Sequence, residues 1–408
     1  MKGQWIDVPA ADGGRSRGYL SLPAQGSGPG LVLCQEIFGV TEGIRELADL
    51  YAEEGYVVLA PDLFWRLQPG LELGEADVQL AMGYAQRFDA ALGVQDIAAC
   101  AAALRDHPAC KGRIGVLGHC LGGRMAVLAA ASGAVDCAIS YYGVGIDAAL
   151  AQVGTPKVPM VLHFAGQDRL VQPAAVEKIR AHFADRHDVE VYVYPGVDHA
   201  FASPGRHSFD PQAAGMAHTR SLALLRRVLG PHYDLNALWE AHRACEFDAR
   251  DADATIATMV DVPYVNHIPT MTGGYGRELL RRFYRDHFIP KSPKDTRAIP
   301  ISRTLGVDRV VNEVLFCFTH DSEIDWMLPG VAPTGKYVEV GLVGIISFRG
   351  DKLMNEHIYW DQASVLVQIG LLDPKGLPVV GHESARKLMD PSRPSNTLIA
   401  GWSEARHD

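Results

Sequence analysis

Cys120 is the residue with the clearest chemical setting in this sequence. It lies at the centre of 118–123, which reads Gly-His-Cys-Leu-Gly-Gly. An apolar run, 114–117, precedes this segment and a run of small residues, 124–131, follows it, a pattern that predicts a strand, a sharp turn and a helix. Glycine suits positions 118 and 122 because the strand and the helix approach closely there. A thiol held at a helix N-terminus is stabilised as a thiolate, so we expect Cys120 to be a nucleophile.

A nucleophile of this kind needs a base and a carboxylate that orients the base. The apolar run 160–164 leads into Asp168, and the run 189–194 leads into His199. The order nucleophile, acid, histidine along the chain is one in which such triads occur. The alternative interpretations are a small buried cysteine, an aspartate in a turn and a histidine in a loop. The agreement of order and placement favours a catalytic triad of Cys120, Asp168 and His199.

These three residues need a scaffold that brings strand ends together. Residues 1–232 alternate short apolar runs with helical stretches, which predicts a doubly wound, mostly parallel sheet with helices on both faces. Sites in such sheets lie at the carboxyl ends of the strands. The predicted strands are 30–34, 56–59, 114–117, 137–141, 160–164 and 189–194, and the predicted helices are 41–51, 93–104, 124–131, 174–184 and 213–229.

The first half resembles the dienelactone hydrolase (carboxymethylenebutenolidase) family. The resemblance covers about the first 230 residues and implies an α/β hydrolase fold with the triad Cys120, Asp168 and His199. It also implies a cofactor-independent, metal-free hydrolase of a small lactone or ester, in the catabolism of aromatic compounds. The segments that carry it are 35–39, 61–63, 118–123, 141–145, 166–168 and 199–201.

The same resemblance implies roles for three residues around the thiol. The backbone N–H groups of Ile37 and Leu121 are expected to form the oxyanion hole. Glu36 is expected to contact the resting thiol until substrate displaces it, and a carboxylate there would disfavour the thiolate. The alternative for Glu36 is a buried glutamate satisfied by the backbone.

The sequence departs from the family at the arginines that bind the substrate carboxylate. The position four residues after His199 is Ser203, and the stretch 75–88 is short and offers Arg87 near its end. We therefore expect a less acidic lactone or ester as substrate. The candidate substrate-binding residues are Phe38, Phe64, Met82, Arg87, Ser203 and Arg206.

The second half has a different character, with helical patterns followed by long strands. A hairpin turn at 349–351 joins the last two predicted strands. This order favours a separate α+β domain over residues 236–408, after a boundary near 230–236. The predicted helices are 235–247, 253–259 and 276–288, and the predicted strands are 310–319, 337–348 and 353–360.

This half resembles the SnoaL-like polyketide cyclases of the nuclear transport factor 2-like superfamily. The carrying segments are 267–269, 333–336, the hairpin, 360–361 and 368–370. The resemblance implies a cone-shaped half-barrel, usually dimeric, with an apolar pocket, and it leaves two alternatives: an acid/base isomerase or cyclase, or a dimerisation and pocket-covering module without chemistry. The candidate pocket residues are His267, His320, Asp325, His357 and Asp361.

Composition excludes several classes of function. A net charge of -10 over 408 residues argues against nucleic acid or an anionic membrane as partner. The sequence has no apolar run of the ~18 residues that span a bilayer and no signal peptide, so we expect a cytoplasmic protein, and a homodimer through its C-terminal domain. The seven cysteines show no Cys-x-x-Cys pair, which argues against common zinc sites and disulfides. A redox or acyl-transfer role for the Cys120 thiol is a further alternative.

Overall fold

The computed structural model describes residues 2–10 and 12–402. These residues form two compact units, with the boundary between His232 and Tyr233. Within the described ranges, every helix is too short or too polar to cross a membrane.

The sheet of the first unit carries the site residues at its strand ends. Its eight described strands have the order β1-β2-β4-β3-β5-β6-β7-β8. The pairings from β4 to β8 are parallel, which confirms the predicted mostly parallel sheet, whereas β1 and β2 form an antiparallel edge that was not predicted. The strands are β1 (Gln4–Pro9), β2 (Arg15–Ser21), β3 (Gly28–Cys34), β4 (Val57–Pro61), β5 (Cys110–His119), β6 (Cys137–Tyr141), β7 (Met160–Ala165) and β8 (Val189–Tyr194).

The helices of the first unit begin and end where local signals predict. Asp89 and Asp210 each accept hydrogen bonds from backbone N–H groups of the helix that follows, and Gly133 ends another helix in the left-handed conformation. The helices are α1 (Glu42–Glu53), α2 (Val78–Arg87), α3 (Ala90–Asp106), α4 (Leu121–Ser132), α5 (Ile146–Val153), α6 (Pro173–His182) and α7 (Pro211–Val228).

The turn between β5 and α4 is packed so tightly that two of its residues have no room for a side chain. A Cβ atom on Gly118 would lie well inside van der Waals contact of the Gly122 carbonyl. One on Gly122 would collide with the carbonyl oxygen of Cys34, the last residue of β3. The predicted reason for these glycines is therefore confirmed, and the close approach brings the N-terminus of α4 to the end of the central strands.

We expect Gly122→Ala to destabilise the first unit by at least about 3 kcal/mol, because the colliding atoms belong to backbone that cannot swing aside. The measurement is the urea midpoint of the full chain. The matched control is Gly215→Ala in α7, where a Cβ meets nothing within 4 Å and the change should raise stability by about 0.5–1 kcal/mol. Equal midpoints for the two variants would contradict this account of the turn.

The second unit is an α+β domain whose sheet is mostly antiparallel. Its described strands have the order β10-β9-β14-β13-β12-β11, and β14 pairs with β9 in parallel. The strands β9, β10 and β11 were not predicted with these bounds, and Met259, predicted to end a helix, begins β9. The strands are β9 (Met259–His267), β10 (Thr272–Tyr275), β11 (Arg297–Leu305), β12 (Arg309–Thr319), β13 (Tyr337–Arg349) and β14 (Lys352–Trp360).

Two helices of this unit end in a π-helical turn rather than in a plain α-helix. Such turns are rare in proteins and occur frequently at functional sites. The helices are α8 (Leu235–Arg243) with the π turn Ala244–Asp248, α9 (Ala252–Ala257), α10 (Arg277–Phe283) with the π turn Tyr284–Phe288, α11 (Gln362–Gln368) and α12 (Glu383–Met389).

Candidate active site

Cys120 occupies the sharp turn between β5 and α4. Its backbone angles are φ 54° and ψ -114°, a region that costs a non-glycine residue about 1–3 kcal/mol and that clusters at functional sites. The residue is the N-cap of α4, where backbone N–H groups are unpaired and the helix dipole is positive.

Asp168 and His199 form a hydrogen-bonded pair at the same edge of the sheet. Asp168 follows β7 and His199 follows β8, and His199 Nδ1 lies 2.8 Å from Asp168 Oδ2. The other carboxylate oxygen accepts the N–H groups of Leu170 and Val171, at 2.8 and 3.1 Å. The Asp168 side chain is fully buried and accepts hydrogen bonds at both oxygens, so His199 Nδ1 is the donor of this bond.

The environment of His199 favours its charged form. Burial by itself lowers the pKa of His199, but Asp168 and Cys120 outweigh it and raise the pKa to about 10. His199 Nε2 makes no hydrogen bond of ordinary geometry among the described residues, and Cys120 is the group that acts on it from that side. The arrangement is therefore an imidazolium between a buried carboxylate and the Cys120 sulfur.

The cavity at Cys120 has a volume of about 310 Å³ and mostly apolar walls. The predicted residues Ile37, Leu121 and Met82 lie on its wall together with Cys120. Leu121 is the first residue of α4, so its backbone N–H has no partner within the helix. A cavity of this size and polarity suits a small ring or a short acyl group.

Arg124 is the one charged side chain among the described residues that line this cavity. It lies four residues after Cys120 on α4 and therefore on the same face of the helix. Its Nε atom is buried without a hydrogen-bond partner, and burial lowers the pKa of Arg124 while Cys120 raises it. Sequence analysis missed Arg124, although a lone charge one turn after a nucleophile in an otherwise apolar helix is a usable signal.

Glu36 lies in a neighbouring cavity of about 220 Å³ and is held there by two donors. Ser203 Oγ donates to Glu36 Oε1 at 3.2 Å, and Arg206 Nη1 donates to Oε2 at 3.0 Å. Arg206 also pairs with Glu75 and stacks over the Phe38 ring at 4.7 Å. In the described residues the carboxylate thus binds Ser203 and Arg206 rather than the Cys120 thiol. That corrects the predicted resting contact, since charge-assisted bonds from two donors outweigh a contact with sulfur.

Residues 16–229 match the dienelactone hydrolase family. The chain belongs to this family. It is 36% identical over 236 residues to a putative carboxymethylenebutenolidase of Azospirillum brasilense, which spans 55% of this chain and 99% of that protein. It is also 36% identical over 231 residues to the carboxymethylenebutenolidase of Pseudomonas sp. strain P51, over 56% of this chain and 97% of that protein.

A solved structure agrees with this assignment. The putative dienelactone hydrolase from Klebsiella pneumoniae subsp. pneumoniae superposes with a TM-score of 0.50 at 26% identity, over 56% of this chain and 100% of that one. The first unit is therefore a dienelactone hydrolase-like α/β hydrolase fold, and the protein is an ester or lactone hydrolase. The family match ends at residue 229, before the second unit begins.

Two side chains that we predicted to bind substrate lie outside the cavity at Cys120. Phe64 is fully buried and packs against the rings of Tyr84 and Phe88, so it belongs to the core. Arg87 stacks over Tyr84 and lines a different cavity, although its neighbours Ala85 and Gln86 line the cavity at Cys120. Neither side chain lines the cavity at Cys120 in the described structure.

The pocket predicted for the second unit also needs correction. An apolar cavity of about 70 Å³ lies in this unit, and of the five predicted residues His267 lines it in the described structure. His357 lies on the opposite face of β14, since Glu356 and Ile358 are the residues of that strand that face the cavity, and Asp361 follows the end of the strand. The alternation of side chains along this strand was predicted, but the predicted pocket was assigned to the face of the strand opposite the cavity.

The other three corrected residues have structural partners. Asp361 caps α11 by accepting the N–H of Ser364 at 3.1 Å. Asp325 lies 3.0 Å from His287 Nδ1 near the surface, and His320 Nδ1 lies 3.1 Å from Thr334 Oγ1. Capping, a surface pair and a loop contact account for these polar side chains.

Proposed function

We propose that the first unit opens a lactone or ester through a covalent cycle at Cys120, with His199 as acid and base and Asp168 as its orienting carboxylate. The observation that supports this most directly is the His199–Asp168 hydrogen bond of 2.8 Å at the strand ends next to the strained Cys120 turn. A buried acceptor that holds the imidazole through Nδ1 leaves Nε2 to serve the sulfur and the substrate.

The cycle balances with the residues at hand. The Cys120 thiolate forms a bond to the carbonyl carbon, and the negative charge moves to the carbonyl oxygen. The N–H groups of Leu121 and Ile37 stabilise that oxyanion, at about 3 kcal/mol for each donor. The C–O bond of the lactone then breaks, and His199 Nε2 gives its proton to the leaving oxygen. A water molecule, deprotonated by His199, hydrolyses the thioester and releases the acid and the sulfur.

Glu36 serves in this proposal as a carboxylate that disfavours the thiolate when it is near. In the arrangement described above, Ser203 and Arg206 hold it away from the sulfur. The hydrogen bond of 2.7 Å between Tyr142 and Ser203 fixes one of these donors. Loss of either donor is then expected to return Glu36 towards Cys120 and slow the enzyme.

We propose further that the substrate carries a carboxylate, and that Arg124 receives it. A buried guanidinium without a hydrogen-bond partner at Nε, one helical turn from the nucleophile, is ready for an anionic ligand. The relatives named above are carboxymethylenebutenolidases, whose substrate name contains a carboxymethylene group. This proposal replaces the expectation of a less acidic substrate. The positive charge in the cavity comes from Arg124 on α4, and not from the positions at which the family carries its arginines.

Replacing Arg124 with methionine is expected to raise the KM for carboxymethylenebutenolide by about 10- to 100-fold, the usual loss when a hydrogen bond to a charged group is removed. The KM for its methyl ester should change little, because the ester has no anion to bind. The measurement is the loss of lactone absorbance over a range of concentrations. Arg87→Met, outside this cavity, is the matched control. An equal loss on acid and ester would reject Arg124 as the carboxylate receptor, and no turnover of either would reject the proposed substrate.

For the second unit we propose the likeness to SnoaL-like domains, with a homodimer formed through it. The mostly antiparallel sheet and an apolar cavity lined by residues of α8, β9, β12 and β14 support this likeness. A place for the hydrolase in aromatic-compound catabolism belongs to the same proposal.

A further inference from the structure

Three buried side chains of the second unit converge on one point outside the hydrolase site. His242 lies on α8, Glu246 in the π turn that follows it, and Glu356 on β14. His242 Nε2 is 3.2 Å from Glu246 Oε1 and 3.0 Å from Glu356 Oε1, and all three side chains are buried. The nearby cavity touches both carboxylates.

The hydrogen bonds around His242 define which nitrogen faces the carboxylates. Thr258 Oγ1 donates its single proton to the Thr255 carbonyl at 2.6 Å, so it can only accept from His242 Nδ1, which lies 2.6 Å away. The Nδ1 atom therefore carries a proton and Nε2 is the variable position. Neither carboxylate oxygen lies in the direction that a hydrogen bond from Nε2 requires.

The charges of this cluster favour a bound cation between the three side chains. A neutral imidazole would place its Nε2 acceptor 3.0–3.2 Å from two carboxylate oxygens, and acceptors at these distances repel one another. An imidazolium would still leave one net negative charge in an apolar environment, which is costly. A divalent ion balances two carboxylates and a neutral imidazole.

The geometry suits a small divalent ion as well. Ligand atoms bound at about 2.0–2.2 Å from a common ion lie roughly 3.0–3.5 Å from one another, which matches the two distances of 3.2 and 3.0 Å from His242 Nε2 to the carboxylate oxygens. The residues that contact the proposed ligands are also consistent with a metal site. Thr258 orients the imidazole of His242, and Tyr284 donates to Glu356 Oε1 at 3.3 Å. The remaining side faces the apolar cavity, walled by Trp239, Phe247 and Phe316, where water or one oxygen of a small ligand can complete the coordination.

We propose that His242, Glu246 and Glu356 bind a divalent transition-metal ion of the Zn²⁺ class, with an open coordination position towards the apolar cavity of the second unit. One nitrogen and two carboxylate oxygens favour such ions over Ca²⁺ and Mg²⁺, which prefer oxygen alone. His242 and Glu246 are four residues apart, on α8 and in the π turn that follows it. The π turn adds one residue to the helical turn that carries Glu246.

The test uses the full chain with Cys120→Ser, so that the hydrolase thiol offers no thiolate to the metal. After dialysis against a chelator, titration calorimetry with Zn²⁺ should give one site per chain, and Co²⁺ should produce visible d–d absorption. Glu246→Gln and Glu356→Gln should each weaken Zn²⁺ binding by at least about 100-fold. The control is His287→Gln, which breaks a surface histidine–aspartate pair and should leave the site intact.

A second measurement covers the case in which a glutamine variant folds poorly. Saturating Zn²⁺ should raise the melting temperature of the parent protein. Thr258→Val removes the acceptor of His242 Nδ1 but replaces none of the three proposed ligands, and it should weaken Zn²⁺ binding by about 10- to 100-fold. No binding of Zn²⁺ or Co²⁺ at one equivalent, or binding that survives both glutamine substitutions, would overturn the proposal and assign the cluster to a shared proton on an imidazolium.

Discussion

Replacing Cys120 with alanine is expected to lower kcat/KM for lactone hydrolysis by at least about 10⁴-fold, because the covalent route disappears with the sulfur. The cavity, the oxyanion donors and the His199–Asp168 pair remain, so substrate should still bind. The measurement is the steady-state loss of lactone absorbance, paired with binding of the unreacted lactone to the variant.

The matched control is Cys137→Ala, since Cys137 is also fully buried and lies on β6 next to the catalytic strand. It should cost stability through a small void but leave kcat/KM within about twofold. A Cys120→Ala enzyme with ordinary turnover would remove the sulfur from the mechanism, and hydrolysis would then have to proceed by direct attack of water.

The same variant separates hydrolysis from the redox alternative. With His199 charged beside it and Glu36 bound elsewhere, the Cys120 sulfur has a setting typical of reactive cysteines. Such a thiol reacts with peroxide whatever its biological role. Turnover that depends on Cys120 therefore decides in favour of hydrolysis, whereas peroxide sensitivity alone does not.

Features that depend on local sequence could be predicted in the first unit. The glycines at 118 and 122 predict a turn in which a side chain would collide with neighbouring backbone, and the structure shows this close approach. Asp168 and His199 follow strands that the sequence shows as apolar runs. The hydrogen-bond partners of Glu36 could not be predicted in this way. It depends on how the loop carrying Ser203 and Arg206 folds back over the end of β3, which no local pattern encodes.

The second unit shows where periodicity is not enough. Alternation along β14 separates His357 from Glu356 but does not say which of them faces the helices. That choice follows from the parallel pairing of β14 with β9, which joins segments about ninety residues apart. His242 and Glu246 are neighbours by helical spacing, but their meeting with Glu356 needs the whole sheet to form.

The second large effect is expected for Asp168→Asn, which should lower kcat by about 10⁴-fold while the fold is kept. Asparagine preserves the shape and can still accept the N–H groups of Leu170 and Val171 through its oxygen. Its amide nitrogen then faces His199 Nδ1 and favours the tautomer with the proton on the wrong nitrogen. The matched control is Asp198→Asn, which should change kcat by no more than a few-fold, because Asp198 accepts the backbone N–H of His199 at 2.7 Å and leaves the imidazole to Asp168.

The pair also predicts how stability depends on pH. The pKa of His199 is raised to about 10 in the folded protein, against about 6.5 in the unfolded chain. The folded state therefore binds the extra proton more tightly, and this stabilisation is complete below pH ~6.5, declines between ~6.5 and ~10 and is absent above. Asp168→Asn removes a main source of the shift, so the stability difference between wild type and variant should be largest near pH 6 and shrink towards pH 10 in urea titrations. Because His242 and the other groups are present in both proteins, the difference isolates His199. A difference that stayed constant from pH 6 to 10 would mean that Asp168 stabilises the loop alone and leaves the imidazole uncharged.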